Sequence, residues 1–301
     1  GATQQLAFDN QLQYDTSYGN IDSRSLLGVE FTMYEGNDTT QGGNAPAIGS
    51  FTFPVFAGRN GLTLSAPVLT DAYQETLSVY VQEELTIQDT VILTLGTRYD
   101  DVYARRDFAG PFQFSRSETY GEFTWRAGVT YKITPQASAY ANYSESFNIA
   151  LTLPDPKPTE GEQFEVGFKY SPSGFNGLFT AAAYQLTHTN VTQLTPAGVT
   201  NSPETRIRGI ELEGRFELGE RLLVVAAYAY QDGKITIGSG VTDPNNPLDP
   251  TGTTTGKRPQ RVPEQLASLW VSYTVPATAR RGVTTVSGGV RYVGEHFADN
   301  L

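Results

Sequence analysis

The sequence predicts an all-β protein, an antiparallel up-and-down transmembrane β-barrel, on three observations. Period-two alternation of apolar and polar residues recurs along nearly the whole chain in runs of about ten residues, with no convincing helical stripe. Tight and long links between these runs strictly alternate. The longest apolar candidate, Leu222 to Tyr230, falls far short of the ~18 residues that a helical membrane span needs.

The runs give about twelve strands, taken in order. Strands 3–15 and 25–35 open the chain, and a long link at 36–74 follows. Strands 75–87 and 90–100 are joined tightly near Gln88-Asp89 and lead into a long link at 101–118. Strands 119–132 and 137–147 are joined at Ile133–Gln136, with a long link at 148–161. Strands 162–170 and 178–190 share the short link Ser171–Gly177 and precede a long link at 191–204. Strands 205–218 and 222–231 turn at Gly219–Arg221 before the long link 232–262. Strands 263–275 and 283–295, joined at Pro276–Gly282, complete the series. Soluble strands average about 5–6 residues, whereas tilted membrane strands need about 9–11.

Two strands show the pattern most clearly. In 90–100, Val91, Leu93, Leu95, Thr97 and Tyr99 share one face and Thr94, Gly96 and Arg98 the other. In 205–218, Ile210, Leu212, Phe216 and Leu218 oppose Glu211, Glu213, Arg215 and Glu217. A register slip of one would put four charges in lipid, at up to ~2–4 kcal/mol for an Arg near the midplane. A soluble sandwich would alternate in the same way, so the sorting of links carries more weight. Tight turns on one side and long loops on the other are what an up-and-down barrel requires. Tyrosines on strands, among them Tyr80, Tyr99, Tyr131, Tyr143, Tyr170, Tyr228, Tyr230, Tyr273 and Tyr292, fit interfacial girdles. Cross-strand packing in a soluble sheet would also place tyrosines there.

Composition narrows the function. The 301 residues carry a net charge of −11, against nucleic-acid binding, which needs an excess of Lys and Arg. Cysteine is absent, so there is no disulfide, thiolate site or Cys nucleophile. No basic and apolar leader opens the sequence, which fits a mature or truncated start. There is no phosphate-binding loop, no Gly-x-Ser-x-Gly and no His-Glu-x-x-His spacing. The two histidines, His188 and His296, fit structural or solvated positions. The carboxylate pairs Asp100-Asp101 and Glu83-Glu84 are adjacent on strands, so their side chains point to opposite faces and do not converge for catalysis. The loop Asp243 to Pro250 is oxygen-rich but lacks the Gly and Glu of a calcium loop and reads as turns. Asn37, Asn142 and Asn190 begin glycosylation-like triplets that carry no weight here. No catalytic residue, metal or cofactor is expected.

One group invites a ligand. Tyr103, Arg105, Arg106, Phe108, Phe112 and Phe114 fall in the link after strand 90–100. Aromatic and basic groups together suit a large anionic or neutral ligand, through stacking and charge. The same residues would also serve to cap a barrel mouth or pack a neighbouring loop.

From about Tyr73 onward the order of segments resembles the barrel of TonB-dependent outer-membrane receptors, siderophore branch. Leu95-Gly96-Thr97-Arg98-Tyr99-Asp100 resembles the family's strand ending in Gly-x-Arg-Tyr-Asp. Trp125 to Tyr131 followed by Ala139 to Phe147 is similar to its next hairpin. Glu160 to Tyr170, Arg208-Gly209-Ile210-Glu211-Leu212-Glu213, Arg261-Val262-Pro263-Glu264 and Gly289 to Glu295 match further strands. Residues 1–72 fit the pattern without a motif. The resemblance implies a twenty-two-stranded barrel in the bacterial outer membrane, filled by an N-terminal plug. It implies partners as well: membrane lipid, a ferric siderophore, and the TonB coupling complex acting through the plug. The expectation for 1–301 is therefore a single partial barrel domain, with plug and C-terminal strands missing, that is not an enzyme. The alternatives are a passive porin-like barrel, a receptor for cobalamin or glycans, and a secreted β-sandwich.

Overall fold

A computed structural model describes residues 1–44, 63–110, 113–149, 158–195, 198–238, 254–279 and 281–297. Its strands are β1 (Ala2–Tyr18), β2 (Ile21–Thr40), β3 (Gly43–Asn44), β4 (Thr63–Leu64), β5 (Val68–Ile87), β6 (Val91–Ala109) and β7 (Phe114–Thr134), followed by β8 (Ala137–Asn148), β9 (Thr159–Tyr170), β10 (Asn176–Thr195), β11 (Gly198–Leu218), β12 (Leu222–Ile237), β13 (Gln265–Val275) and β14 (Thr284–Val293). Twelve of them form one sheet in the order β1-β2-β5-β6-β7-β8-β9-β10-β11-β12-β13-β14, while β3 and β4 pair separately. Each strand of the large sheet lies beside its sequence neighbours, the up-and-down topology the alternating links predict.

The tight turns follow local chemistry. Gln88 (φ 50°) and Asp89 (φ 55°) both sit in the left-handed region, as a type I′ hairpin demands at its two central positions. The Thr90 amide donates to the Ile87 carbonyl at 3.0 Å, and its hydroxyl donates to the Gln88 carbonyl at 2.8 Å. Gly219 (φ 64°) makes the corresponding turn between β11 and β12.

The strands run well beyond their expected ends on the long-link side. The expected link 101–118 is mostly strand, since β6 continues to Ala109 and β7 starts at Phe114. Alternation fades there because neither face is oily, but hairpin hydrogen bonding continues wherever the arms stay paired.

The chain divides into two compact units. The first comprises Gly1–Leu12, Leu27–Tyr80 and Arg98–Phe123, and the second Gln13–Leu26, Val81–Thr97 and Thr124–Leu301. In the second unit the registers assign both faces. Tyr140 opposes Gly167, Tyr184 opposes Gly209, and Glu211 and Glu213 oppose Ala182 and Thr180 on one face. Phe164, Val166 and Phe168 of β9, Ile210 and Leu212 of β11 and Tyr228 and Tyr230 of β12 occupy the other, between 36% and 52% exposed. Oily side chains thus lie open while the charged rows share the opposite face, the reverse of a water-soluble sheet.

Candidate functional site

In the first unit, neighbouring stretches of β5 and β6 alternate between two faces. Leu77, Val79 and Tyr99 are exposed on one face, and Ser78, Asp100, Val102 and Ala104 are buried on the other. An ion-pair network organises this polar face. Arg98 donates through Nη1 to Glu30 (2.6 Å), through Nε to Asp100 (2.7 Å) and through Nη2 to Ser78 Oγ (2.6 Å). The Ser78 hydroxyl in turn donates a hydrogen bond to Asp100 at 2.5 Å. The guanidinium lies 5.6 Å from the Tyr80 ring centre, and the Tyr80 hydroxyl donates to Asp9 at 2.8 Å. Gly28 makes this possible: a Cβ there would fall 2.0 Å from the Tyr80 ring. Four side chains from three strands, Glu30, Ser78, Tyr80 and Asp100, therefore converge on one cation.

Further along β6, the six residues singled out from the sequence separate. Arg106 lies over the Phe108 ring at 5.0 Å, and Phe108 stacks on Phe114 at 4.4 Å with 22° between planes. The Arg106 Nε is buried without a hydrogen-bond partner. These three share the face of Arg98 and Asp100. Tyr103 and Arg105 occupy the opposite face, because successive strand residues alternate. There Tyr103 meets Tyr73 edge-on at 6.2 Å, and Arg105 pairs with Asp107 at 2.9 Å, which also accepts from Ser115. The Tyr73 hydroxyl donates to Glu75 at 2.7 Å, which holds the phenol above its usual pKa. Phe112 lies outside the described residues. The set is thus not one site in a loop. It is a cation–aromatic cluster on the polar face and a self-paired group on the other.

The remaining candidates take ordinary places. Glu83 accepts from Ser23 and Ser25 at 2.5 Å each, whereas Glu84 lies 3.8 Å from Arg24, so the adjacent carboxylates do diverge. Asp100 sits in the Arg98 network, and Asp101 is exposed on the other face. His188 opposes Gly161 and Thr205, and His296 approaches the Gly294 carbonyl at 3.4 Å. Asn37 accepts from the Ala2 amide, Asn142 opposes Glu165, and Asn190 donates to the Pro158 carbonyl. The loop Asp243 to Pro250 lies outside the described residues. Among the described residues no group of three or more His, Asp or Glu is placed to hold a metal ion. In the second unit, Tyr140 donates to Glu165 at 2.8 Å with Lys169 over its ring at 5.1 Å. Sequence reasoning missed the Arg98 network as a unit. Its members were visible as a charged face, but the registers joining β1, β2, β5 and β6 were not.

Comparison with known proteins gives a consistent answer. The family model described as "TonB dependent receptor-like, beta-barrel" matches residues 1–301. The Ferrichrome outer membrane transporter/phage receptor of Escherichia coli K12 is 32% identical over 98% of the chain and 39% of its own length. The Ferrioxamine receptor of Yersinia enterocolitica is 30% identical over 98% of the chain and 41% of its length. The chain thus spans about two fifths of these relatives. The crystal structure of the siderophore receptor PiuA from Acinetobacter baumannii superposes with a TM-score of 0.73 at 23% identity, over 97% of this chain and 46% of that one.

Proposed function

Because the chain belongs to the TonB-dependent receptor-like β-barrel family of the bacterial outer membrane, we propose that it forms part of the wall of a receptor that imports ferric siderophores. The substrate class is supported by relatives named as ferrioxamine and ferrichrome receptors. The observation in this chain that carries it is the Arg106–Phe108–Phe114 cluster. A guanidinium whose Nε has no partner, lying over the Phe108 ring that itself stacks on Phe114, offers charge beside a flat apolar surface to a bulky chelate. Energy comes from the TonB complex through the plug of the whole receptor. The wall residues act by binding and orienting the chelate.

The test is uptake by cells carrying the full-length gene under iron limitation, with ferrioxamine B and ferrichrome as probes. Loss of the gene abolishes growth on at least one. Arg106→Ala or Phe108→Ala weakens binding of that chelate about two- to thirty-fold, the range of ~0.5–2 kcal/mol for a cation–π contact. Arg105→Ala, on the opposite face, leaves binding unchanged. Uptake of every ferric chelate without the gene, or equal effects at Arg105 and Arg106, overturns the reading.

A further inference from the structure

One row of the second unit sets opposite charges against each other across two small residues. The registers pair Glu213 with Ala227, Ala227 with Ser268 and Ser268 with Arg291, so these four stand in line on the charged face of β11, β12, β13 and β14. Three strand spacings of ~4.8 Å put about 14 Å of backbone between the carboxylate and the guanidinium. Between them lies a notch of about 210 Å³, with Glu211 and Glu213 on one side, Arg291 on the other and Ala227, Ala229 and Ser268 beneath. Its floor is low because only methyl and hydroxymethyl groups rise from it.

The protein leaves both ends of this row unneutralised. Among the described residues, neither Glu213 nor Arg291 enters an ion pair or a side-chain hydrogen bond. Nearer the tight turn of β11, Arg215 pairs with Glu217 at 2.7 Å, and Glu217 also accepts from Asn176 at 2.7 Å. On β9, Glu165 of the same face accepts from Tyr140 at 2.8 Å. Charges of this face that have partners within reach take them, whereas Glu213 and Arg291 are held apart by the width of β12 and β13. A carboxylate and a guanidinium fixed on opposite walls of a concave site match a ligand with a cation at one point and an oxygen acceptor at another.

We propose that the notch binds a linear hydroxamate chelate that carries a terminal ammonium. The ammonium donates to Glu213, Arg291 donates to a hydroxamate oxygen, and the methylene chain between them lies over Ala227 and Ser268. This rests on the reading of the receptor as a ferric-siderophore importer and narrows its substrate class.

Trp270, two positions along β13 from Ser268, shares the charged face and reports on the notch. The experiment uses the full-length receptor purified in detergent with Trp270 as its sole tryptophan, whose emission a ferric hydroxamate quenches when it binds nearby. The probes are ferrioxamine B, which has a terminal ammonium, and its N-acetylated form, which keeps the iron core and loses the charge. The receptor binds ferrioxamine B at least tenfold more tightly than the acetylated form. Glu213→Gln abolishes that preference, and Arg291→Gln weakens binding of both forms alike, about three- to tenfold. Glu217→Gln, which removes a carboxylate of the same face outside the notch, keeps the preference. Heat-modifiable mobility on gels confirms that each variant is folded. Equal affinity for the two forms, absence of quenching by ferrioxamine B, or undiminished preference in folded E213Q overturns the proposal. Growth of cells carrying the gene on ferrichrome, which has no ammonium, separates the two readings. With growth but no ammonium preference the notch assignment alone falls; without growth on any ferric chelate the importer reading falls.

Discussion

Replacing Leu212 by Arg tests the facing of the sheet quantitatively. Leu212 lies six positions from Leu218, which adjoins the tight turn between β11 and β12. Six residues at ~3.3 Å, tilted ~45°, place it about 14 Å up a band ~25 Å tall, near the midplane. The side chain is 39% exposed. If that exposure is to lipid, an Arg there costs about 2–4 kcal/mol, while Leu218→Arg, at the interface, costs about 0–1. If the exposure were to water, both would fall within about 0.5 kcal/mol. The assay is reversible denaturant unfolding of the full-length barrel in phospholipid vesicles, comparing both variants with wild type. A cost below 0.5 kcal/mol at Leu212, or equal costs at the two depths, refutes the argument.

Other outcomes follow from the same geometry. Arg98→Ala strands the Glu30 and Asp100 carboxylates together. It should cost about 2–3 kcal/mol in the same unfolding assay, less than a fully buried pair because the Arg98 side chain is 33% exposed. Arg98→Lys keeps the charge but loses the fork and falls between. Gly167→Val drives a Cβ to 2.4 Å from the Tyr140 ring and should destabilise by about 1–3 kcal/mol, whereas Tyr140→Phe loses only its bond to Glu165, at about 1 kcal/mol. Asp89→Gly removes a left-handed non-glycine residue from the type I′ turn and should raise the unfolding midpoint by about 0.5–1 kcal/mol equivalent.

Much of this architecture is legible in the chain because the side-chain period of a strand is two and a membrane punishes the wrong register. Ile210 and Leu212 against Glu211 and Glu213 could be assigned to faces without coordinates, and the tight links at Gln88-Asp89 and Gly219–Arg221 fell where the turns are. The long-link ends were harder. Beyond Asp100 there is no oily row to mark a strand, so Tyr103, Arg105, Arg106 and Phe108 read as loop although β6 carries them on both faces. The same alternation then divides them, which a loop would not have done. Hidden entirely were cross-strand partners. That Gly28 makes room for Tyr80, and that Glu30, Ser78 and Asp100 meet on Arg98, depends on registers that bring Arg98 to a residue 68 positions away. Local sequence specifies which face a residue takes, not which distant residue it meets.

The two tryptophans of the chain decide the central claim between them. Trp125 shares the oily face and lies 4.6 Å from Tyr143, whereas Trp270 shares the charged face with Arg215, across from Val225. Their exposures, 39% and 49%, are similar. In vesicles of phospholipid brominated along the acyl chains, a full-length receptor with Trp125 as its sole tryptophan should lose much of its fluorescence, and one with only Trp270 should keep it. Equal quenching of both, or quenching of Trp270 alone, contradicts the account.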